Sequence, residues 1–410
     1  MKVALNTQIF LGALLGITLG LVFAKLGPEA KATKQGIYFC GLLGNLFIDL
    51  LKMVLVPLVF TSIAVGVANL RLHSQLHRVW LSTLGFFALS MALAIVLGLI
   101  ATNLFESGKG LSLDLFHNAG QGFAAKQMSF AEFVASFLHG LFVNPFAALA
   151  QANVLAIVMF ALLLGIALVV GGDRYRNLLQ LMQEGLELML RLVGWIMRLA
   201  PFGIMALLAQ LLATQNMALL NSLAEFVAVV IGTTLLHGFV VLPLLLFLVT
   251  KMSPLKFFRG SREALITAFA TSSSSATLPV TLRCVEQHLH VKPGIAGFVV
   301  PLGATVNMDG TALYEASAAL FVANLAGIEL DLAQQLIVFF TTMIAAMGAP
   351  GIPSAGMVTM VMVLQSVGLP TEAIAILLPI DRLLDTVRTM VNVEGDMIGS
   401  LVVQKWVGKD

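Results

Sequence analysis

Apolar runs of helix length follow one another through the first 250 residues, separated by short polar breaks. They cover about 9 to 24, 36 to 70, 79 to 105, 151 to 171, 178 to 213 and 222 to 250. A membrane-spanning helix needs only about 20 such residues, so the pattern predicts six spans before residue 251. The first run, from Ile9 to Ala24, sits between Lys2 and Lys25 with no small-residue cleavage site and predicts a retained helix.

Beyond residue 251 the pattern changes, because runs of small and polar residues interrupt the apolar segments in mid-span. One reads TSSSSATLP, Thr271 to Pro279, and the other GAPGIPSAG, Gly348 to Gly356. Each lies between two apolar arms too short to cross a bilayer, which suggests a helical hairpin that enters the membrane and turns back. Irregular backbone is tolerated at that depth only where protein buries it or a polar cavity faces it. Either stretch alone reads equally well as a loop between ordinary spans. Each, however, precedes a full-length segment carrying carboxylates, Asp309 after the first and Asp381, Asp385 and Asp396 after the second. A broken segment plus an acid-bearing helix, twice over, is an internal repeat of the kind that places a transporter's site between its halves.

Composition excludes a soluble fold: 59% of residues are hydrophobic and 11% charged, against roughly 25% charged in soluble domains. Mean hydropathy is +0.97. The 410 residues leave room for roughly eight spans plus shorter insertions. A net charge of +2 indicates no nucleic-acid partner. Cys40 and Cys284 lack metal-ligand spacing and read as packing residues. Arg71, Arg78, Arg174, Arg176, Lys251, Lys256, Arg259 and Arg262 occupy alternate loops, whereas the loop at 214 to 221 carries no charge. This predicts a cytoplasmic N-terminus in the inner (plasma) membrane, against which only Lys31 and Lys34 count. The polar stretch from Glu106 to Phe146 reads as an external loop with some helix.

The last apolar segment holds the densest chemistry. From Asp381 it reads DRLLDTVRTMVNVEGD, and at roughly 100° per residue Asp385, Arg388, Asn392 and Asp396 fall within about 60° of Asp381. Thr389 borders the stripe, and Glu394 falls on the opposite side, toward an interface or other protein. A charge at the centre of a spanning helix costs at least about 2.5 to 3.5 kcal/mol, so the stripe must face partners or a polar cavity. An internal salt-bridge ladder is the alternative. Three carboxylates against one arginine leave a surplus that a bound cation or proton would balance. Carboxylate and amide oxygens suit hard cations, and the guanidinium fork suits a substrate carboxylate. An aspartate one turn away could hold an α-ammonium. Upstream, Gly303 to Leu313 (GATVNMDGTAL) places an amide, a thioether, a carboxylate and a hydroxyl around Gly310, where Gly and Asn weaken the helix and unwinding would expose carbonyls to a cation.

The motifs TSSSSATLP, NMDGTALY, GIPSAG and DxxRTxxNVxGD, in this order, resemble the dicarboxylate/amino acid:cation symporter family of archaeal aspartate transporters and mammalian excitatory amino acid transporters. The resemblance covers nearly the whole chain. It implies an all-α membrane protein with eight transmembrane helices and two re-entrant helical hairpins arranged as inverted repeats. It also implies a homotrimer in the lipid bilayer whose transport domain slides like an elevator against a trimerising scaffold. Residues 1–253 would form the six-span half, scaffold plus part of the transport domain, and residues 254–410 the C-terminal transport core. The hairpin at 348 to 356 would be the extracellular gate.

The resemblance also assigns residues. Arg388 would bind the side-chain carboxylate of L-glutamate or L-aspartate and Asp385 its amino group, with Thr311, Thr389 and Asn392 and the backbone of Ser272, Ser274, Ile352 and Gly356 assisting. One Na+ site would use Asp396 with the backbone of Gly303, Asn307 and Asn392. A second would use the sulfur of Met308 with the backbone of Thr305, Ala346, Met347 and Ala349. A third would use Asp309, Asn307 and the third span. There the expected tyrosine, threonine and serine read Phe87, Ser90 and Met91, so two or three sodium sites, or proton coupling in their place, are open. The family also places an arginine in the first hairpin or beside the substrate-binding aspartate, whereas these positions read Ser272 and Thr386, which weakens potassium counter-transport. Asp385 favours an amino acid over a plain C4-dicarboxylate.

Other residues promise less. Asp49 and Lys52 read as a local pair, His237 as a hydrogen-bonded packing residue, and His288 and His290 as a solvated hairpin end. Two other classes fit intramembrane aspartates: an aspartyl protease, which needs two carboxylates sharing a proton and is disfavoured by the nearby Arg388, and a channel, whose pore the stripe would line.

Overall fold

The computed structural model describes residues 5–27, 30–68, 77–110, 139, 142–151, 154–214, 217–349, 351 and 353–408, and these are helical throughout apart from turns and short connections. In chain order the first half comprises α1 Leu5–Leu26, α2 Lys31–Ala68, α3 His77–Phe105, α4 Pro145–Ala150, α5 Val154–Gly171, α6 Arg176–Met197, α7 Ala200–Thr214, α8 Met217–Leu236 and α9 Leu242–Thr250. The second half comprises α10 Pro254–Thr271, α11 Ser274–Arg283, α12 Pro293–Val306, α13 Asp309–Leu325, α14 Leu332–Gly348, α15 Ala355–Ser366 and α16 Ile374–Val407. Arg71 and most of the expected external loop lie outside the described residues. What is described of that loop is a turn at 107–110 and α4, whose N-terminus is capped by the Asn144 side chain.

Among the described residues, three stretches are long and apolar enough to cross a bilayer by themselves: Thr7–Leu26, Arg78–Phe105 and Asn221–Thr250. A fourth is the bent pair Met159–Ile196 and Ala200–Gln210. That pair corrects two expected boundaries. The polar Asp173 to Arg176 does not open a loop, because Gly172–Tyr175 forms a 3-10 turn that joins α5 to α6. The break falls instead at Arg198 and Leu199, inside the apolar run expected to be continuous, where the axis turns by 53°. Pro201, the second residue of α7, supplies no backbone N–H there, and proline is the usual cause of so sharp a kink.

The first-half helices pack through small residues. Gly12, Gly16 and Gly20 recur every four residues on α1, so they share one face, and that face lies against the α7 backbone. A Cβ at Gly16 would stand 2.9 Å from Met205 Cα, and one at Gly20 would stand 2.9 Å from Ala209 O. Close approach through glycines lets dispersion contacts hold helices together where lipid supplies no hydrophobic drive. Leu11, Leu15 and Leu21 on the same helix point outward and remain exposed, as a lipid-facing surface requires.

The second half is organised around α13, every residue of which is buried except Asn324. Polar Thr311, Glu315 and Ser317 are buried on it with the apolar residues, so the helix is an interior strut with no lipid face. The packing of α13 on α3 and α16 brings the third helix of the first half into the core. Helices α10 and α11 form one antiparallel hairpin, α14 and α15 the other, and both expected interruptions fall at their tips.

Candidate functional site

The two tips are built from backbone that a regular helix cannot supply. Ser272 ends α10 in the left-handed conformation (φ 51°), and Ser273 then caps α11, its Oγ accepting from Ala276 N at 3.1 Å. Ser354 is likewise left-handed (φ 60°) ahead of α15. Non-glycine residues adopt this conformation only where their surroundings impose it. The tips touch: Ser273 Oγ donates to Gly351 O at 2.7 Å and Ser275 N to the same oxygen at 3.0 Å. Gly351 is required there, because a Cβ would run into the backbone carbonyl of Ala304.

Between them runs a broken helix. Asn307 and Met308 leave helical geometry between α12 and α13, as the Asn-Met-Asp-Gly sequence suggested. Gly310 crosses α16 so closely that a Cβ would lie 2.6 Å from Arg388 O. Its N–H donates to Asn392 Oδ1 at 2.7 Å, while Asn392 Nδ2 reaches Thr311 Oγ1 at 3.2 Å and Met308 Sδ at 3.3 Å. One amide thus ties the break in α13 to the polar face of α16.

That face is buried along its length, and it divides into two ends. At the first, Arg388 Nη2 donates to Asp381 Oδ1 at 2.7 Å and to Asp385 Oδ1 at 2.9 Å. The guanidinium lies 4.0 Å over the Tyr314 ring, a stacking that attracts it to the ring's negative face. Arg388 Nη1 and Nε have no hydrogen-bond partner among the described residues, and Gly356 faces Nη1, with 3.8 Å from that nitrogen to the place of a Cβ. Two buried donors without acceptors are costly, and a carboxylate entering beside the second hairpin tip would satisfy them. Asp385 Oδ2 accepts from Ser354 N at 2.9 Å and from Arg382 Nη1 at 3.3 Å.

At the other end, Asn307 Nδ2 donates to Asp396 Oδ1 at 3.1 Å, with the Gly303 backbone beside that carboxylate. Ser90 Oγ from α3 reaches Asp309 Oδ1 at 3.0 Å and Asn307 Oδ1 at 3.3 Å. His237 Nε2 lies 3.2 Å from Asp309 Oδ2, both residues fully buried. This end is rich in oxygen atoms of the kind hard cations take.

Of the residues expected at a site, Arg388, Asp385, Asn392, Thr311, Asp396, Asn307, Asp309, Met308, Gly303, Gly356 and Ser90 are drawn together by these contacts. Thr389 is buried on the same helix, and Ser272 and Ser274 are buried at the first tip. Thr305 is half-buried and spends its hydroxyl on Leu302 O at 2.9 Å. Ala346, Met347 and Ala349 close the end of α14, with Ala349 N donating to Ala346 O at 3.2 Å. Ile352 lies outside the described residues.

Other buried polar residues join the site. His237 packs as expected, but its partner is the Asp309 carboxylate; a π-helical turn, His237–Val241, presents the ring there, and no sequence signal marks it. Glu394 reaches protein rather than a membrane interface, since it is buried against Gly238 of that turn. Glu315 is buried and takes a hydrogen bond from Thr359 Oγ1, and its place inside an apolar span was a legible signal. Phe87 and Met91, where oxygen donors were expected, are fully buried. His288 and His290 are exposed as expected.

The described residues thus form a helical membrane protein in which two hairpin tips meet over a broken helix, with buried acids beside a half-satisfied guanidinium. The chain belongs to the sodium:dicarboxylate symporter family, whose model matches residues 5–406. It is 32% identical to the proton/sodium-glutamate symport protein of Geobacillus stearothermophilus, over 100% of this chain and 96% of that one. It is 32% identical to mouse excitatory amino acid transporter 3, over 97% of this chain and 84% of that one. Over 62% of this chain and 45% of the relative, identity to mouse excitatory amino acid transporter 4 reaches 48%. The family is one of membrane transporters and not of enzymes, which sets the protease reading aside.

Proposed function

We propose that this chain is a secondary active symporter that takes up L-glutamate or L-aspartate together with sodium. The observation that carries the reading is the state of Arg388, fully buried, held on one side by Asp381 and Asp385 and lacking acceptors for Nη1 and Nε. A substrate side-chain carboxylate completes that guanidinium bidentately, and Asp385 then faces the substrate ammonium. Thr311, Thr389, Asn392 and the tip residues Ser272, Ser274, Ile352 and Gly356 would line the remainder. The buried acids Asp309, Glu315, Asp381, Asp385, Glu394 and Asp396 outnumber the buried guanidinium, and cations travelling with the substrate balance them. Sodium would take Asp396 with Gly303, Asn307 and Asn392, the Met308 sulfur with Thr305, Ala346, Met347 and Ala349, and Asp309 with Asn307 and Ser90.

In this reading the chain has eight spans and two re-entrant hairpins in inverted repeats, the second hairpin serving as the external gate. Residues 254–410 form the transport core, which moves like an elevator against a scaffold within residues 1–253. The assembly is a homotrimer in the inner membrane with a cytoplasmic N-terminus. Glycine-mediated packing of α1 on α7, set against the hydrogen-bonded core, supports that division. A second reading couples uptake to protons, favoured by Phe87 and Met91 where the third cation site would need oxygens. Uptake of labelled glutamate and aspartate into proteoliposomes under separately imposed sodium and proton gradients tests both. Concentrative uptake with sodium alone supports the first, uptake with a proton gradient alone the second, and passive flux without concentration retires the symporter in favour of a channel.

A further inference from the structure

Resting on the symporter reading, the charge balance around Asp385 singles out a residue to which neither the sequence motifs nor that reading gave a role. Asp381 and Asp385 are both buried, and Arg388 alone cannot balance two carboxylates. The second positive charge comes from Arg382, one turn before Asp385 on α16, whose Nη1 stands 3.3 Å from Asp385 Oδ2. With Arg382 included, two guanidinium groups are paired with Asp381 and Asp385, while Glu315 on α13, the other buried acid near Gly356, takes its hydrogen bond from Thr359. Arg382 and Asp381 also line a narrow cavity whose remaining wall is largely apolar, with Ile9, Phe47, Ala200 and Ile204 of α1, α2 and α7. Against such a wall a charge persists only when it is paired.

We infer that Arg382 is an internal counter-cation for Asp385, taking the place of the substrate's ammonium whenever the site is empty and giving way when an amino acid binds. Geometry supports the exchange. Asp385 Oδ2 is held at 2.9 Å by Ser354 N and at 3.3 Å by Arg382, so the longer ion pair is the contact most easily released. The backbone hydrogen bond keeps the carboxylate aimed at the tip while its cationic partner changes. Spacing of three residues on one helix lets the guanidinium return without any backbone movement. Arginine stays charged at any working pH, so the compensation needs no proton and no recruited ion.

The consequence concerns the return journey. A carrier that completes net uptake must recross the membrane empty, whereas one that only exchanges amino acids always recrosses loaded. An uncompensated Asp385 opposes the empty crossing alone, because charge inside a bilayer is costly. Arg382 therefore favours net uptake over exchange and makes an external counter-cation unnecessary. By occupying Asp385 it also competes with the ammonium and weakens apparent substrate affinity.

The test reconstitutes wild-type, Arg382→Gln and Arg382→Lys proteins in proteoliposomes. Labelled aspartate is followed in two modes, exchange against internal aspartate and sodium-driven net uptake into aspartate-free vesicles containing choline or potassium. In Arg382→Gln with choline inside, the ratio of exchange to net uptake should rise roughly tenfold or more, as an uncompensated charge in the crossing carrier demands. Internal potassium should restore part of the net uptake, and Arg382→Lys should keep a ratio close to wild type. Apparent Kd for aspartate in the Gln variant should fall rather than rise. Exchange and net uptake declining in parallel in both variants would overturn the inference, since a structural role touches both modes alike. No aspartate exchange by the wild type would instead overturn the symporter reading, and the counter-cation with it.

Discussion

The α1–α7 pair and the α13–α16 crossing are both glycine-mediated contacts between membrane helices, yet they solve different problems. On α1, Gly12, Gly16 and Gly20 let one backbone settle on another, and the outer leucines remain exposed to lipid. Where α13 meets α16, Gly310 brings two helices together so that Asn392, Thr311 and Arg388 share one buried cleft. The first contact needs only shape; the second also needs every polar atom to find a partner, and the donors left over on Arg388 are where a ligand belongs. Packing without polarity makes a frame, and packing with unsatisfied polarity makes a site.

The sharpest way to break this contrast is on the core side. Replacing Arg388 by Ala should abolish acidic amino acid transport, since losing one partner of a buried charge pair costs about 2 to 5 kcal/mol, a factor of roughly 30 or more in Kd. Calorimetric titration with aspartate reads the loss, and an unchanged elution profile shows that the fold survives. Unchanged affinity would contradict the assignment. Arg388→Lys should fare little better, because an ammonium lacks the planar fork.

On the frame side the expected signs reverse. Gly16→Leu would force a side chain into Met205 and Leu208, and overpacking of this kind costs about 1 to 3 kcal/mol. Thermal unfolding in detergent should shift down by several degrees while aspartate Kd stays put. An affinity change larger than the stability change would show that the frame and the site are not separable. Between these extremes lies Ser273→Ala at the hairpin contact. It removes both a helix cap, worth about 1 kcal/mol, and the bond from Oγ to Gly351 O, worth about 1 kcal/mol. Ser275 N still holds Gly351 O at 3.0 Å, so the tips should loosen rather than part. Faster aspartate dissociation, together with a fall in melting temperature no larger than that of Gly16→Leu, is the expected signature.

How far the sequence discloses each region follows from the same contrast. The polar stripe of α16 was legible because charge in an apolar helix has few explanations, and its expected face is the buried one. Both tips were legible as small-residue interruptions. The helix boundaries near 172–175 and 198–201 were not, because hydropathy registers Asp173 and Arg174 strongly and a proline beside alanine hardly at all. Nor was His237 on Asp309 legible. The two are far apart in the chain, and the π turn that aims the ring is a local slip in helical register with no residue type of its own. Arg382 drew no reading from the sequence, because its contact with Asp385 Oδ2, an oxygen shared with Ser354 N, comes from the fold.

The smallest effect is expected where polarity meets water instead of protein. Arg283 Nη2 and Glu263 Oε2 form a 2.6 Å pair between the two arms of the first hairpin, geometrically as short as any ion pair at the site. Their side chains are 52% and 47% exposed, so solvent competes for both and salt screens what remains. Exposed pairs contribute about 0.2 to 1 kcal/mol, less at high ionic strength. Glu263→Gln should therefore lower the melting temperature only slightly at low salt, by an amount that shrinks as salt is added, and leave aspartate Kd and uptake rate unchanged. A transport defect in that variant would mean that the arms of the hairpin, and not its tip alone, control access. Distance would then be a better guide to function here than burial, and the division between frame and site would have to be redrawn.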